Sequence, residues 1–574
     1  MVIYRPFQQF CLTFISWLSI SQLTVLAQSV APSGVTIPPN TPEKIEEITP
    51  KPSPTLPAKP PRKTDPILQS PPQENIPNTT FPSSTTFFVK EIQIKGNSVL
   101  QDEINQLIKP LLEQKNITFQ QLLQLRSRIT QLYAENGYIT SGAFIPNNQD
   151  VADGIVQIQV VEGELEGITI SGLQRLRKSY VRSRIQRLAD KPLNQNRLEQ
   201  ALQLLQIDPV IERVNAELTA GSVPGNNILQ IQITEAPAFH AGVSFANNQS
   251  PSVGSSQASV FVAHDNLLGF GDEVSAEYGV SQGLDVYNFN YSVPINALDG
   301  TVGVRFSNSD SRIIEDEFNN LDIRSETETL SFNLRQPLVY TPDREFALGL
   351  AFDLRRSQTF ILDDIPFSFT KGPEEGESKL SVIRFSQDWL QRKTNSVLAA
   401  RSQLSIGIDA FDATVNDSGT DARFVAWVGQ FQWVQRLSPR ILMLAKVNTQ
   451  LTGDSLLSAE KISIGGVDTI RGYRQNQVVT DSGVVGGIEV RIPLASEVET
   501  LQLIPFFDIG TGWNNRGENP SPQTLASLGL GLQWQPLRGL GLRADYGIPL
   551  IGRGESGDSL QENGFNFSIR YQPF

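Results

Sequence analysis

The amino-acid sequence predicts a 16-stranded antiparallel transmembrane β-barrel preceded by two α/β modules in the periplasm. Three observations predict this architecture. The chain opens with an export signal, residues 86–237 repeat one order of strands and helices twice, and residues 238–574 contain sixteen stretches in which apolar and polar residues alternate. An even strand count is typical of single-chain bacterial barrels.

Residues 1–27 are predicted to be a signal peptide. They carry one charged side chain, Arg5, and an apolar stretch from Phe10 that ends in the small-residue pattern Val25-Leu26-Ala27. The alternative is a membrane anchor or a buried helix, but the stretch is short for a spanning helix. Because the single cysteine, Cys11, lies within this segment, the mature chain is predicted to need no disulfide chemistry.

Residues 28–85 are predicted to be a disordered Pro-rich linker. Of the 36 prolines in the chain, 15 lie between positions 31 and 82, separated mainly by Lys, Thr and Ser. A segment of this composition buries too little apolar surface to fold. We therefore expect an extended, polyproline-like chain here.

The overall composition excludes several classes of protein. The 60 Asp+Glu exceed the 47 Lys+Arg, giving a net charge of −13, and this acid excess argues against a nucleic-acid binder. Two histidines and one cysteine are too few for a structural zinc or iron–sulfur site, so neither a metal nor a cofactor is expected. Residues 279–283 fit the nucleophile-elbow pattern, but they join two predicted strands, and no enzymatic activity is expected.

Residues 86–163 and residues 164–237 are predicted to form two modules, each with the order β-α-α-β-β. The first opens with a strand from Phe88 to Ile94. Its second helix begins with a capping box, in which Thr118 and Gln121 satisfy each other's backbone groups. Two further strands are expected near 138–146 and 155–161.

The second module repeats this order. A strand covers 165–171, and Asn194 is expected to cap the second helix. Strands near 210–218 and 227–235 complete the module. Each module has about 75 residues, which is just enough for a small core.

The first module also carries a spaced motif, made of Gly137-Tyr138-Ile139, Pro146, Gly154 and Val161-Glu162-Gly163. In this motif the module resembles the first polypeptide-transport-associated (POTRA) module of two-partner secretion transporters (the TpsB or ShlB/FhaC/HecB family), the outer-membrane exporters of large haemolysins and adhesins. The residues alone leave open a β-α-α-β-β domain with another task.

The predicted barrel occupies residues 238–574. Its sixteen alternating stretches lie near 239–247, 257–264, 272–280, 285–294, 300–307, 327–336, 345–355, 380–389, 396–408, 422–435, 441–452, 484–493, 501–512, 526–535, 539–547 and 565–573. In one of them, Leu528, Leu530, Leu532 and Trp534 alternate with glycine and glutamine. A soluble sandwich or a lipocalin shows the same alternation, but the length and the signal peptide favour a membrane barrel.

The lengths of the connections predict which end of the barrel faces the periplasm. Connections after even-numbered strands are mostly short, whereas those after most odd-numbered strands are long, notably 309–325, 356–378, 409–421, 453–483 and 548–563. Short turns face the periplasm in outer-membrane barrels. Both ends of the barrel are therefore predicted to lie on the side of the two modules.

The longest predicted connection, residues 453–483, contains the sequences Ser463-Ile464-Gly465-Gly466 and Thr469-Ile470-Arg471-Gly472-Tyr473. It resembles the Val-Arg-Gly-Tyr/Phe loop of the outer-membrane assembly and secretion superfamily, with Ile470 in place of Val. The resemblance implies that the loop folds back into the barrel lumen. It also implies that the arginine meets the aspartate of a Phe-x-Asp-x-Gly strand motif, here Phe506-Phe507-Asp508-Ile509-Gly510.

Alternation supports this pairing independently. Leu503, Phe507 and Ile509 share one apolar face, so Phe506, Asp508 and Gly510 are expected to point into the lumen. A cation folded into a partly desolvated lumen needs a carboxylate partner, and arginine offers a bidentate fork.

We therefore hypothesise that Arg471 and Asp508 form a latch that holds the loop to the inner wall, with Tyr473 beside it. The alternative is an exposed Arg-Gly-Tyr turn. Four other charged residues also point inward and are interpreted as general charge networks of the lumen: Glu489, Arg491, Arg543 and Asp545.

The chain ends in Phe574, after a stretch that begins at Phe565. This end resembles the C-terminal strand that outer-membrane barrels present to the barrel insertion machinery. The match is imperfect because the alternation slips at Pro573, which must lie at a strand end since it lacks a ladder donor.

The resemblance covers nearly the whole mature chain and implies a protein-translocation pore in the outer membrane of a Gram-negative-type bacterium. The pore would export one large cognate exoprotein, haemolysin-like or adhesin-like, in two-partner (type V) secretion. Expected partners are the unfolded exoprotein, bound by the POTRA modules as an added edge strand, the insertion machinery and periplasmic chaperones during biogenesis, and outer-membrane lipid. Two alternatives are a barrel assembly and insertion factor of the same superfamily and a passive porin. A plug helix, frequent in the family, is in doubt because the N-terminal segment is rich in proline.

Overall fold

The computed structural model describes residues 68–69 and 86–573, except residues 148, 150, 152, 363, 418, 496, 498, 499 and 553–556. The predicted signal peptide, most of the predicted linker and the predicted insertion signal Phe574 lie outside the described residues. The described chain forms two compact units, which meet in sequence between Ala236 and Pro237. None of the described helices has the length and apolar character needed to cross a membrane.

The N-terminal unit begins with a two-residue strand, β1 (Leu68–Gln69), and continues with the first module. The elements of this module are β2 (Thr86–Phe88), β3 (Glu91–Lys95), α1 (Gln101–Gln114), β4 (Asn116–Thr118), α2 (Phe119–Glu135), β5 (Gly142–Phe144) and β6 (Ile155–Val161). The sheet has the order β3-β6-β5, with β3 parallel to β6, and β2 pairs separately with β4. The single strand predicted from Phe88 to Ile94 is instead split, because the N–H groups of Lys90 and Glu91 both donate to the carbonyl of Gly154.

Helix α2 begins as predicted. The Thr118 hydroxyl accepts from the Gln121 N–H, and the Gln121 side chain accepts from the Thr118 N–H at 2.8 Å. The helix then buries one face, consisting of Leu122, Leu125, Ile129 and Tyr133, against the sheet. This core is the one expected from the apolar spacing of the sequence.

The second module contains β7 (Glu164–Ser171), α3 (Lys178–Gln186), α4 (Gln195–Gln206), β8 (Ile211–Ala220) and β9 (Asn226–Glu235). The Asn194 side chain caps α4, as predicted, by accepting from the N–H groups of Asn196 and Arg197. The sheet has the order β1-β8-β9-β7, with β8 antiparallel to β9 and β7 parallel to β9. The predicted β-α-α-β-β order is therefore repeated.

Strand β1 differs from what was expected of the Pro-rich linker. Leu68 and Gln69 pair in parallel with Ala216 and Glu217 of β8. Leu68 is 3 % exposed and packs into the core of the second module. The apolar residue explains the difference, because one leucine beside an open sheet edge buries its side chain there even though the surrounding prolines cannot form a core.

The C-terminal unit is a closed antiparallel barrel, which confirms the predicted sixteen strands. These are β10 (Phe239–Ala246), β11 (Gln257–Asp265), β12 (Glu273–Ser281), β13 (Leu284–Pro294), β14 (Thr301–Arg312), β15 (Arg324–Tyr340), β16 (Arg344–Ile361), β18 (Glu377–Lys393), β19 (Ser396–Gly407), β21 (Val425–Arg436), β22 (Leu442–Thr452), β26 (Ser482–Pro493), β27 (Leu501–Trp513), β28 (Thr524–Leu537), β29 (Leu540–Pro549) and β30 (Phe565–Tyr571). Shorter elements in the connections are β17 (Ile365–Pro366), β20 (Thr420–Asp421), β23 (Ser455–Leu456), β24 (Ile462–Ile464), β25 (Val478–Thr480) and the 3-10 helices η1 (Pro251–Val253), η2 (Asp316–Leu321) and η3 (Ser458–Glu460).

The apolar face of the strands points outward. On β28, Leu528 and Leu530 are 52 % and 55 % exposed, whereas Gly529 and Gly531, which alternate with them, are buried on the lumen side. Strands β15, β16 and β18 are longer than predicted, at 17, 18 and 17 residues. Their additional residues are mostly polar, and the backbone ladder continues there without the apolar alternation on which the prediction depended.

The barrel closes where the first strand meets the last one. Residues Val243–Ala246 of β10 pair with Ser568–Tyr571 of β30. The Asn247 side chain extends this closure, since it donates to the carbonyl of Phe565 at 2.9 Å and accepts from the N–H of Phe567 at 2.6 Å. Strand β30 ends at Tyr571 rather than at residue 573, because Gln572 turns to donate to Gly539 and a proline follows it.

Candidate functional site

Residues 453–481, which join β22 to β26, form a hairpin-like loop, hereafter the lumen loop. Its two arms pair through β24 and β25, and the tip comprises residues 465–477. Within this tip, Gly465 and Gly466 directly follow β24. An apolar cluster joins the loop to the wall strands β26 and β28; it consists of Ile462, Ile464, Ile470, Tyr473, Val478, Val479, Val485 and Leu525.

Arg471 lies at the tip and is 2 % exposed. Its Nε and Nη2 atoms donate to the two carboxylate oxygens of Asp508 at 2.7 and 2.9 Å, and its backbone N–H donates to the same carboxylate at 3.3 Å. The guanidinium also lies over the Phe506 ring, 3.5 Å from its centroid. The structure therefore brings the two sequence motifs together, with Phe506 and Asp508 both facing the lumen as alternation predicted.

Two further carboxylates contact the same guanidinium. The Nη1 atom of Arg471 donates to Glu489 at 3.1 Å and to Asp545 at 3.4 Å. Arg491 pairs with Glu489 at 2.7 Å, and Arg543 pairs with both carboxylates. Interpreting these four residues as general lumen networks was wrong for Glu489 and Asp545, because they bind the loop directly. Alternation gives the face of a residue but not its height, and the strand register aligns Glu489 with Phe506.

Together these residues form a cluster of three guanidiniums and three carboxylates, buried except for the partly exposed Arg543, hereafter the tip cluster: Arg471, Arg491, Arg543, Glu489, Asp508 and Asp545. Among these six residues the opposite charges balance in number, and the Lys446 ammonium, which donates to the carbonyl of Asp468, adds a cation near Asp508. Removing one member leaves an uncompensated charge out of water, which costs about 3–5 kcal/mol. The tip cluster therefore favours one position of the loop tip.

The backbone of the tip lies directly on the wall at two facing glycines. Gly472 has a φ of 92°, and a Cβ on it would lie 2.8 Å from the carbonyl carbon of Gly547 on β29. A Cβ on Gly547 would lie 2.5 Å from the nitrogen of Gly472. Sequence reasoning missed Gly547, although a glycine at an inward position between Tyr546 and Ile548 was a usable signal.

Ile470 and Tyr473 complete the contact of the tip with the wall. The Tyr473 hydroxyl lies 2.9 Å from the carbonyl oxygens of both Ala526 and Ile551, donates to one of them, and accepts from the N–H of Ala526. Ile470 is fully buried and packs over Gly510, where a Cβ would lie 2.9 Å from the Ile470 Cδ1 atom.

A methyl group at position 547 is expected to displace the tip from the wall. In Gly547→Ala, the new Cβ overlaps backbone atoms that have no rotamer with which to move away. We expect a higher ion conductance of the purified protein in planar bilayers. Gly541→Ala on the same strand is the matched control, because its Cβ would meet nothing within 4 Å. Equal conductance of the two variants would contradict the contact.

The motif residues of the first module lie in its core and turns. Glu162, 8 % exposed, accepts from the Ser98 N–H and hydroxyl at 2.7 and 2.6 Å, from the Val99 N–H, and from the Tyr133 hydroxyl at 2.8 Å. Burial alone would raise the pKa of Glu162, but these hydrogen bonds hold the pKa below its ordinary value. Glu162 therefore ties the turn before α1 to helix α2.

The other motif residues shape the same module. Gly137 ends α2 with a φ of 87°, and Tyr138 packs edge-on against Tyr133. Val161 ends β6, and the carbonyl of Gly163 accepts from the N–H of Leu193. The remaining two residues lie in turns: Gly154 carries the carbonyl that splits the first strand, and Pro146 follows β5.

The second module contains an equivalent carboxylate that sequence reasoning missed. Glu235, at the end of β9, accepts from the N–H groups of Gln174, Arg175 and Leu176, in the turn before α3. Burial opposes ionisation, but these N–H groups hold the pKa of Glu235 below its ordinary value. In each module, a carboxylate at the end of a strand thus accepts hydrogen bonds from the turn before a helix.

Glu162→Gln is expected to destabilise the first module by about 2–3 kcal/mol, because an amide cannot accept all four hydrogen bonds. Since the folded-state pKa is lowered, the stabilisation is present above the ordinary value of 4.5 and is lost as the pH falls through the folded pKa. Limited proteolysis of the full-length protein against pH measures both effects. Glu103→Gln on the exposed face of α1 is the control, and equal protease resistance of both variants would refute the role.

The chain is similar in sequence and in structure to several known proteins. The pattern of the family described as haemolysin secretion/activation protein ShlB/FhaC/HecB matches residues 225–534, and that of the POTRA domain, ShlB-type, matches residues 87–163. The outer membrane transporter CdiB of Dickeya dadantii is 24 % identical over 77 % of this chain and 78 % of its own length. The heme/hemopexin transporter protein HuxB of Haemophilus influenzae is 23 % identical over 76 % of this chain and 78 % of its own. The solved structure of CdiB from Escherichia coli has a TM-score of 0.66 at 20 % identity and covers 89 % of this chain and 94 % of that one.

Proposed function

The chain belongs to the haemolysin secretion/activation protein family (ShlB/FhaC/HecB), and from this premise we propose how it moves its substrate across the membrane. The protein is a non-enzymatic two-partner secretion transporter, an outer-membrane β-barrel with a periplasmic POTRA domain, and it exports a cognate exoprotein. The finer proposal concerns the route. We infer that the exoprotein passes unfolded through the barrel lumen, past the lumen loop.

One observation carries this proposal: the tip of the lumen loop is buried against the inner wall by Arg471 and Asp508. A loop held there occupies the lumen, so a polypeptide can pass only when the loop moves. We propose that the Arg471–Asp508 pair is the latch that holds the closed arrangement, with Glu489 and Asp545 as additional anchors for the same guanidinium.

We also propose that the periplasmic modules receive the exoprotein as an added edge strand. Strand β1 supports this proposal, because it lies along β8 in parallel with one buried leucine, Leu68. An incoming segment with an apolar residue at that point could make the same hydrogen bonds and bury the same surface, provided that it replaces β1. Binding by strand addition depends on shape and on the spacing of apolar residues more than on the exact sequence, which suits an unfolded substrate.

Biogenesis requires further partners, which stay predictions. The predicted signal Phe574 lies outside the described residues, and we propose that the insertion machinery binds the last strand, β30. Periplasmic chaperones are proposed to keep the chain unfolded before insertion. The outward row of apolar side chains, for example on β28, is proposed to contact lipid.

The experiment that tests the function compares the extracellular and periplasmic proteomes of cells with and without this protein. Loss of one large extracellular protein, with other barrels intact, supports export and identifies the substrate. A general fall in outer-membrane barrels would support an assembly factor instead. No change in either fraction would favour a passive pore.

A further inference from the structure

A second group of buried charges binds the lumen loop far from its tip. Glu460, at the end of η3, accepts from the Nη2 and Nη1 atoms of Arg384 on β18 at 2.8 and 3.0 Å. The Nε atom of Arg384 donates in turn to Asp353 on β16. The side chains of Arg384, Asp353 and Glu460 are 7 %, 5 % and 9 % exposed, so this ion pair lies out of water like the one at the tip.

The backbone of the same arm is held at two more points. Arg355 on β16 donates from Nη1 to the carbonyl of Ala459 at 3.1 Å. Gln450 on β22 donates to the carbonyl of Glu460 at 2.7 Å. The arm before β24 is therefore fixed through both its side chain and its main chain, and all of these partners belong to the wall.

Charge balance in this group depends on the loop. The wall supplies two guanidiniums, Arg355 and Arg384, and one carboxylate, Asp353, while the loop supplies the second carboxylate, Glu460. When the loop leaves, one positive charge of the wall loses its partner. The bidentate geometry of the Arg384 fork makes the loop carboxylate a specific partner rather than a general counterion.

The two attachment points lie on different sectors of the wall. The strand order around the barrel places β19, β21 and β22 between β18 and β26. The ion pair of the arm is at β16 and β18, with a further backbone contact at β22, whereas the ion pairs of Arg471 at the tip are at β26, β27 and β29. The lumen loop therefore bridges two sectors of the barrel, and breaking the attachment at one end leaves the other intact.

We propose that Arg384 and Glu460 form a second latch, independent of Arg471, and that the lumen loop leaves the lumen only when both latches are broken. Arg384 and Glu460 are positioning residues that hold the loop. The inference rests on the proposed function of the loop as the element that closes the pore. It adds an ion-pair step at the arm to those at the tip, where Arg474 also pairs with Glu315 and Glu562.

Planar-bilayer conductance of the purified full-length protein tests this proposal with Glu460→Gln, Arg384→Gln, Arg471→Ala and their combinations. Glu460→Gln is nearly isosteric and lies on the loop, so the barrel is expected to fold, which heat-modifiable gel mobility checks. We expect each single change at the second latch to raise the open fraction about tenfold, and a much larger rise when it is combined with Arg471→Ala. The double variant of Arg384 and Glu460 should not exceed either single variant, because both remove one interaction.

The matched control is Arg335→Gln. Arg335 on β15 is also a partly buried lumen cation, but its ion pairs are with Glu345 and Asp388 on the wall strands β16 and β18. If Glu460→Gln matches this control in both the wild-type and the Arg471→Ala background, the second latch is refuted. Arg384→Lys should restore part of the closure, because the lysine keeps the charge but cannot form the bidentate contact.

Loss of secretion in the deletion strain tests the export function separately, so failure of the latch and failure of the function give different results.

Discussion

Arg471→Ala is expected to shift the lumen loop from its wall-bound position and to leave the pore leaky. The substitution removes the bidentate pair with Asp508 and the guanidinium that also contacts Glu489 and Asp545. Removing one partner of a buried ion pair costs about 3–5 kcal/mol. Such a cost changes the ratio of closed to open forms by about a hundredfold or more.

Single-channel recording of the purified variant measures this shift directly, and sensitivity of cells to a large antibiotic that outer membranes exclude measures it in vivo. Arg471→Lys should lie between the wild type and the alanine variant, since an ammonium cannot form the two-pronged contact. The control is Arg335→Ala, which removes a lumen cation that pairs with wall residues. If the Arg471→Ala variant is open no more often than the wild type in single-channel recordings, the latch is contradicted.

Glu489→Gln is expected to destabilise the barrel at least as strongly. Glu489 accepts from Arg471 at 3.1 Å, from Arg491 at 2.7 Å and from Arg543 at 3.3 Å, so it is the shared partner of all three guanidiniums. Without its charge, the three guanidiniums and the nearby Lys446 ammonium face two carboxylates, and mutual repulsion of the cations adds to the desolvation cost. The barrel should unfold at a lower temperature in a heat-modifiable gel assay.

Glu326→Gln provides the comparison for this variant, because Glu326 is an exposed carboxylate on β15. We expect no change in its melting behaviour, since surface charges contribute little to stability. If the two glutamine variants unfold at the same temperature, Glu489 contributes no more to stability than an ordinary surface charge, and the tip cluster is not a structural unit.

The sequence predicts the barrel well because apolar residues, which face lipid, alternate along each strand with polar residues and glycines, which face the lumen. Leu528, Leu530, Leu532 and Trp534 face outward while Gly529 and Gly531 face the lumen, as their spacing indicated. Alternation does not report the height of a residue along the barrel axis. That height is set by the register between strands, and register is a property of pairs of strands that no single strand encodes.

The candidate site shows the same limit. Asp508 was found because a motif and its inward face coincided, whereas the contacts of Glu489, Asp545 and Gly547 with the loop tip depend on the register of β26, β27 and β29. The Arg384–Glu460 pair was not foreseen either, because its members are 76 positions apart and neither belongs to a recognised motif. Leu68 escaped notice since its proline-rich neighbours predict an extended chain, and only the open edge of β8 provides a place for it.

We propose that the exoprotein passes through the lumen of the barrel, and two neighbouring positions on one strand test this route. Gln403 and Leu404 are neighbours on β19; Gln403 is buried on the lumen side and Leu404 is 37 % exposed on the outer face. A photo-crosslinking amino acid is placed at either position in cells that secrete the exoprotein identified by the proteome comparison. We expect cross-links to the exoprotein from position 403 and none from position 404. Cross-links from position 404, or from neither position while secretion continues, would contradict passage through the lumen.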